Sequence, residues 1–208
     1  MAWWFSDEAG PPDGGLLGPQ NSLRLFDAAQ ALVDLVLRGE EKFLVGPSVI
    51  CAMHKIAMAG LLGSAGSYRG DGSVKIFASG HVPPPRDEVP GLVEDMCSAI
   101  MNTYVGDPSW AASYALWRLN WIHPFEDGNG RTARVLAHMV LMIGFGMGSF
   151  PGVRRHLPDR IADEKAKYYR CLEECDKIFK STRQVNVTNL QGFLERHLRG
   201  MLREANSG

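Results

Sequence analysis

The chain has 208 residues, of which 45% are hydrophobic and 22% carry a charge. This length and balance are typical of one well-buried globular domain and argue against two domains of ordinary size. The formal net charge of -1 lacks the basic excess that marks most nucleic-acid-binding proteins, so DNA and RNA are not expected as partners.

The cysteines and the apolar stretches predict the compartment in which the protein works. The four cysteines contain no C-x-x-C pair and no zinc spacing, which favours reduced thiols, although Cys171 and Cys175 lie one helical turn apart and leave a metal site open. The N-terminal residues lack the basic start and apolar core of a secretory signal, and the longest apolar stretch, 135–150, is too short to cross a bilayer. We therefore expect a cytoplasmic protein with no membrane partner.

Glycine, proline and apolar residues predict the elements in chain order. Residues 1–21 are rich in glycine and proline and indicate a loose N-terminal lead-in, which leaves 22–208 as the domain. Ser22 is expected to cap the first helix. Apolar residues at helical spacing predict helices at 22–38, 47–62, 87 onward, 110–121, 130–143, 161–180 and 187–204. Residues 73–77 largely alternate between polar and apolar and predict a strand of a small hairpin, so the sum is an all-α fold of about seven helices with a small β-hairpin.

The segment from His123 to Arg134 joins two of the predicted helices and carries residues suited to phosphate chemistry. The second helix presents its N-terminal backbone N–H groups to the loop, where an anion is favoured. Gly128 and Gly130 have no side chains, so a phosphate can approach the backbone closely. Arg131 and Arg134 share one helix face, and both guanidinium groups can reach the same polyanion.

Two further side chains of this loop predict a catalytic role. His123 titrates near neutrality, as a general base should. Asp127 is a hard oxygen ligand, suited to Mg²⁺ that is bound mainly by phosphate oxygens and water. Phe125 is expected to pack inward and Glu126 to face solvent. Each feature alone is more often structural, but their combination in one short loop predicts a site for phosphoryl or nucleotidyl transfer.

This loop resembles the signature of the Fic family, H-P-F-x-D/E-G-N-G-R-x-x-R, at every fixed position. The resemblance extends over about 66–180. Tyr68 to Val82 and the prolines that follow are similar to the flap hairpin of the family, and the pair Tyr168-Tyr169 is similar to the helix that borders its nucleotide base pocket. The resemblance implies a Fic fold, a helical bundle with a β-hairpin flap.

The resemblance also implies a role for each residue at the centre of the loop. His123 would take the proton from the target hydroxyl, and Asp127 would hold Mg²⁺ against the phosphates of ATP. Gly128, Asn129 and Gly130 would cradle the α- and β-phosphates, Asn129 also through its side chain.

Roles for residues around the loop are implied in the same way. Arg131 and Arg134 would bind the β- and γ-phosphates. Val74 and Ile76 of the flap would dock the target segment by strand addition. Tyr168, or alternatively Tyr169, would contact the nucleotide.

The function implied by the resemblance is transfer of AMP from MgATP to a Ser, Thr or Tyr hydroxyl of a protein. Relatives that transfer phosphate have Lys where this chain has Gly130, which favours nucleotidyl transfer, whereas Asp176 leaves the nucleotide preference open. The alternatives are UMP or phosphate transfer, de-AMPylation, or a nucleotide-binding interaction module of a toxin–antitoxin or effector system. The presence of His123 argues against a module that only binds.

Two expectations concern regulation and the other histidines. No Ser or Thr is followed by Glu four residues later, so the inhibitory motif of the family, S/T-x-x-x-E-G/N, is absent and a separate inhibitory partner chain is expected. His138 is predicted to be buried and hydrogen-bonded. The remaining histidines, His54, His81, His156 and His197, are expected at the surface or in the hairpin.

Overall fold

The computed structural model describes residues 15–70, 81–150 and 152–207. Within these ranges the chain is helical and contains no strand. The elements are α1 Leu17–Leu37, α2 Pro47–Ala57, a short 3-10 turn Arg86–Glu88, α3 Val89–Thr103, α4 Pro108–Ile122, α5 Asn129–Gly144, α6 Leu157–Asp163, α7 Lys165–Thr182 and α8 Thr188–Ala205. The all-α class is therefore confirmed. The predicted strand at 73–77, with Val74 and Ile76, lies outside the described residues.

Helices α4 and α5 form the centre of the bundle and are buried on most of their surface. In the described part of the chain no other two helices pack so extensively against each other. Small residues permit this close approach, and Gly144 at the end of α5 lies directly against Pro108 at the start of α4. Helices α1, α2 and α6 cover α5, while α3, α7 and α8 cover α4. The loop between α4 and α5 is thereby held between two rigid elements.

Three helix boundaries differ from the prediction. Helix α1 begins at Leu17, and Ser22 is not its cap, because the buried Ser22 hydroxyl donates to the Gly18 carbonyl inside the helix. Helix α2 ends at Ala57, since the chain turns through left-handed Gly60. The single helix predicted at 161–180 is two helices, broken at Glu164.

The aromatic row of α4 is part of the core, as its helical spacing indicates. Tyr114 and Trp117 are buried, and Trp110 and Trp121 are half-buried. Phe179 of α7 packs edge-on against Trp117 and Trp121. The row therefore joins α4 to α7. No helix in the described ranges is long and apolar enough to cross a membrane.

Candidate active site

His123 ends α4 in the left-handed backbone conformation, with φ 49° and ψ 58°. Its N–H still donates to the Leu119 carbonyl at 2.9 Å, so this residue is the last one held by the helix. Pro124 follows, and proline disfavours the right-handed helical conformation at the residue before it. The bend that the proline predicts therefore begins at His123, where a non-glycine residue adopts a conformation that costs about 1 kcal/mol or more.

His123 is buried, with 8% of the residue exposed. This burial lowers the pKa of His123 to about 4, the Asn120 backbone carbonyl opposes the shift, and the charges of Arg69 and His81 add to it. Below its pKa the ring is protonated; at pH 7 it is neutral. A neutral imidazole can accept a proton, which is what a general base requires.

Asn129 closes the loop onto itself. Its Oδ1 accepts a hydrogen bond from the Phe125 backbone N–H at 3.0 Å, and its Nδ2 donates to the Phe125 carbonyl at 2.9 Å. Asn129 and Phe125 are both fully buried, so Phe125 is the inward anchor that was predicted. Neither bond uses the second N–H of Asn129 Nδ2, and contact between this side chain and a phosphate stays a prediction.

Gly128 directs the loop into α5. It has φ 79°, and a Cβ at this residue would lie 2.7 Å from the side chain of Met58, so glycine is required for both backbone and packing reasons. The backbone N–H and the hydroxyl of Thr132 both donate to the Gly128 carbonyl, which starts the helix. The backbone N–H groups of the first turn have no carbonyl partner within the helix, which makes this helix start suited to an anion.

Asp127 fits the role of a magnesium ligand that acts together with phosphate oxygens. Its side chain is 18% exposed, its Oδ1 accepts the Gly128 N–H at 2.6 Å, and its Oδ2 lies 3.7 Å from Arg131 Nη2. Burial raises the pKa of Asp127, and the Gly128 N–H and the Arg131 charge oppose this shift. Within the described ranges no group of three or more His, Cys, Asp or Glu side chains could hold a metal by itself. One hard carboxylate is what Mg²⁺ takes when phosphates and water supply its other ligands.

Arg131 and Arg134 are buried at the start of α5. The Nη1 of Arg131 donates to the Ala57 carbonyl at 3.4 Å. The guanidinium of Arg134 lies over Gly130, since a Cβ there would come within 3.2 Å of Arg134 Nη1. Two buried cations thus reinforce the positive end of the helix.

His54 of α2 contributes to the site, and the expectation that it lies at the surface is wrong. It is fully buried, its Nε2 donates to the Asp127 carbonyl at 2.8 Å, and its Nδ1 accepts the Gly66 N–H at 2.9 Å. Burial lowers the pKa of His54 to about 4. Its position at helical spacing from Ile50 and Ala57, both buried, is the sequence signal that could have found it.

Arg69 is the second residue whose role was not predicted. Its Nε donates to the His123 carbonyl at 2.9 Å, and its own backbone N–H donates to the Pro124 carbonyl at 2.8 Å. Its Nη2 also donates to the Pro84 carbonyl. His197 also departs from the expectation of a surface position, because it is buried. His81, at the end of the predicted hairpin segment, donates from Nε2 to the Trp121 carbonyl at 2.7 Å.

The residues assigned to the nucleotide base lie on α7. Tyr168 is 1% exposed, and its hydroxyl accepts a hydrogen bond from Asn120 Nδ2 at 3.0 Å, whereas Tyr169 is half-buried with its ring centre 5.5 Å from that of Tyr168. Of the two tyrosines, Tyr169 therefore has the greater access to a ligand. Asp176 accepts a hydrogen bond from Trp117 Nε1 at 2.8 Å.

The predicted burial of His138 and the predicted exposure of Glu126 are confirmed. His138 is 1% exposed and bonds through Nε2 to Gln30 Oε1 at 3.2 Å. Glu126 is exposed and accepts a hydrogen bond from the Ser64 hydroxyl.

Comparisons with known proteins point to one family. Residues 45–141 match the model of the Fic/DOC family. The protein adenylyltransferase Fic of Nematostella vectensis is 35% identical over 98 residues, which cover 46% of this chain and 21% of that relative. This chain thus spans a minor part of the relative's length.

Two solved structures share the fold. A Fic domain-containing signaling protein from Bacteroides thetaiotaomicron has a TM-score of 0.67 at 18% identity, covering 97% of this chain and 75% of that one. A Fic family protein from Desulfovibrio desulfuricans G20 has a TM-score of 0.62 at 26% identity, covering 94% of this chain and 68% of that one.

Proposed function

We propose, from the match of residues 45–141 to the Fic/DOC family model, that the protein transfers AMP from MgATP to a Ser, Thr or Tyr hydroxyl of a target protein. Support comes from relatives named protein adenylyltransferase, at modest identity. The observation that carries the proposal is the loop itself. It brings a buried, neutral His123 together with a helix start that is flanked by Asp127, Arg131 and Arg134.

In the proposed reaction His123 accepts the proton of the target hydroxyl. The hydroxyl oxygen then forms a bond to the α-phosphorus of ATP, the bond from that phosphorus to the bridging oxygen breaks, and pyrophosphate leaves. The start of α5, with Arg131 and Arg134, would stabilise the negative charge on the phosphates. Asp127 would hold Mg²⁺, which neutralises phosphate charge when it is bound.

The test uses ATP labelled at either the α- or the γ-phosphate, incubated with the protein and a cell lysate. AMP transfer moves only the α-label to protein, whereas phosphate transfer moves only the γ-label. UTP labelled at the α-phosphate tests UMP transfer, and release of label from a modified protein tests de-AMPylation. We expect transfer of the α-label of ATP; labelling from γ alone would overturn the proposal.

Two variants serve as controls for this test. His123→Ala removes the base and should lower labelling by roughly 10²- to 10⁴-fold, because this is the usual contribution of general base catalysis. Asp127→Ala should lose Mg²⁺-dependent labelling while its thermal unfolding stays cooperative. Equal labelling by parent and His123→Ala proteins would remove His123 from the mechanism, and a parent that binds ATP without labelling any protein would favour the binding module.

The predicted inhibitory partner chain stays a prediction. Its basis is the absence of the S/T-x-x-x-E-G/N motif from all 208 residues. The test is to co-express the protein with candidate inhibitory partner chains and to repeat the labelling assay.

A further inference from the structure

We propose that His54 is a positioning residue for the peptide group between Asp127 and Gly128. Through this peptide it would orient the Asp127 carboxylate, which is proposed to bind Mg²⁺, and the backbone N–H groups that are proposed to bind phosphate. The inference rests on the proposed function, because it assigns His54 to the nucleotide site. His54 itself would not touch substrate. Three contacts of its ring carry the argument.

The two ring nitrogens of His54 have fixed and different roles. Nδ1 lies 2.9 Å from the Gly66 backbone nitrogen, which can only donate, so Nδ1 is the acceptor. Nε2 lies 2.8 Å from the Asp127 carbonyl oxygen, which can only accept, so Nε2 carries the proton. The contacts therefore select one neutral tautomer and use both nitrogens.

The plane of the His54 ring is also fixed. It stacks on Phe125 with ring centres 3.7 Å apart and an angle of 3° between the planes. Phe125 is in turn bonded through both its backbone N–H and its carbonyl to Asn129. Because His54 is fully buried, no solvent competes for these contacts. The ring is thus a rigid support that reaches the loop from α2.

This support determines which way the 127–128 peptide faces. A peptide group is planar and trans, so its carbonyl and its N–H point in opposite directions. With the Asp127 carbonyl held by His54, the Gly128 N–H must point away from α2, and there it meets the Asp127 carboxylate at 2.6 Å. Gly128 is in a conformation that glycine leaves easily, with φ 79°. Loss of the His54 bond would therefore free this peptide to rotate and turn the Gly128 N–H away from the Asp127 carboxylate.

The alternative is that His54 only fills the core between α2 and the loop. The two roles are separated by the variants His54→Gln and His54→Asn. The Gln amide nitrogen can reach the Asp127 carbonyl, as Nε2 does. The shorter Asn amide can accept the Gly66 N–H but cannot reach Asp127. Asn is the smaller of the two and leaves the larger cavity, so a filling role predicts that the loss of MgATP affinity follows the loss of unfolding free energy in His54→Asn, His54→Gln and the control variant. A positioning role predicts a loss of affinity in His54→Asn that the loss of stability does not explain.

The experiment measures MgATP affinity by calorimetry in full-length protein that also carries His123→Ala, so that no turnover occurs. We expect His54→Asn to weaken MgATP binding roughly 10- to 100-fold, the usual effect of losing an outer partner of a metal ligand. His54→Gln should recover most of this affinity. His138→Asn is the matched control, since His138 is equally buried but bonds to Gln30 of α1.

Several outcomes would overturn the inference. The inference is wrong if folded His54→Asn protein binds MgATP as tightly as its parent. It is also wrong if the affinity for MgATP falls equally in His54→Asn, His54→Gln and His138→Asn. The proposed function itself would be refuted if the protein with His54 intact did not bind MgATP and if the protein with both His54 and His123 intact did not transfer AMP. In that case crystal structures of His54→Asn and the parent decide the inference alone: a rotated 127–128 peptide supports it, and an unchanged one overturns it.

Discussion

Arg69 and His123 are joined by a hydrogen bond from the Arg69 Nε to the His123 backbone carbonyl at 2.9 Å, although 54 residues separate them in sequence. The same arginine reaches Pro124 through its backbone N–H and Pro84 through Nη2. One buried side chain therefore holds the backbone of the proposed base in its left-handed conformation. The position of the His123 ring depends on a residue outside the signature loop.

Arg69→Lys should lower the AMP-transfer kcat by roughly 10- to 100-fold, because hydrogen bonds to charged groups contribute about 1.5–3 kcal/mol and lysine lacks the planar fork. The KM for ATP should change little, since Arg69 holds His123 and not the start of α5. Steady-state kinetics separate the two constants. Arg38→Lys, at an exposed ion pair with Glu40, is the control and should behave as the parent does. A raised KM with unchanged kcat would contradict this role.

Asn129→Asp should destabilise the protein by about 1–3 kcal/mol, the cost of leaving a buried polar group unsatisfied. The change replaces the donor Nδ2 by an oxygen that faces the Phe125 carbonyl, while the acceptor side is kept. Chemical denaturation at pH 7 measures the loss. Asn102→Asp, at an exposed position, should lie within about 0.5 kcal/mol of the parent. Equal stabilities of the two variants would show that the loop closure contributes nothing.

Gly144→Ala should destabilise the fold by about 1–3 kcal/mol, as overpacking does. Its Cβ would lie 2.6 Å from Pro108 Cβ and 2.6 Å from the Tyr104 carbonyl oxygen, which neither helix can avoid without moving. Gly192→Ala in α8 has open space around it and should stabilise by about 0.5–1 kcal/mol, because alanine favours a helix. Thermal unfolding of the pair checks the sign of each effect.

Four buried histidines predict that stability falls in mild acid. Burial lowers the pKa of His54, His123 and His197 to about 4 and that of His138 to about 3. In the unfolded chain each has its ordinary pKa near 6.5, so between these values the unfolded state binds more protons. The contribution of these histidines to the free energy of unfolding is therefore fully present above pH 6.5 and is lost as the pH falls toward 4. Each histidine contributes up to about 1.4 kcal/mol per pH unit in this window.

Urea unfolding at pH 7, 6 and 5 measures this dependence. His138→Gln removes one titrating group and should make the free energy of unfolding vary less steeply with pH. An unfolding free energy that stays constant between pH 7 and 5 would show that these histidines keep ordinary pKa values in the folded protein.

Much of the fold and the heart of the site could be predicted because their signals are local. The helical spacing of apolar residues predicted that α2 begins at Pro47 and that α8 begins near Thr188, as the structure has them. The contiguous loop from His123 to Arg134 indicated the bend, the inward Phe125 and a helix start near Gly130, one residue after the observed start at Asn129. Each of these depends on residues within a few positions of one another.

The sequence by itself determined which chemical groups stand at the turn between α4 and α5. Only the tertiary structure decided what holds them there. His54 donates to the Asp127 carbonyl, 73 positions away, and Asn120 donates to the Tyr168 hydroxyl, 48 positions away. It also decided the break at Glu164, where neither proline nor glycine marks the end of a helix. The physical reason is that a helix face or a turn follows from its own residues, whereas a buried hydrogen bond exists only after packing has excluded water and brought distant segments together.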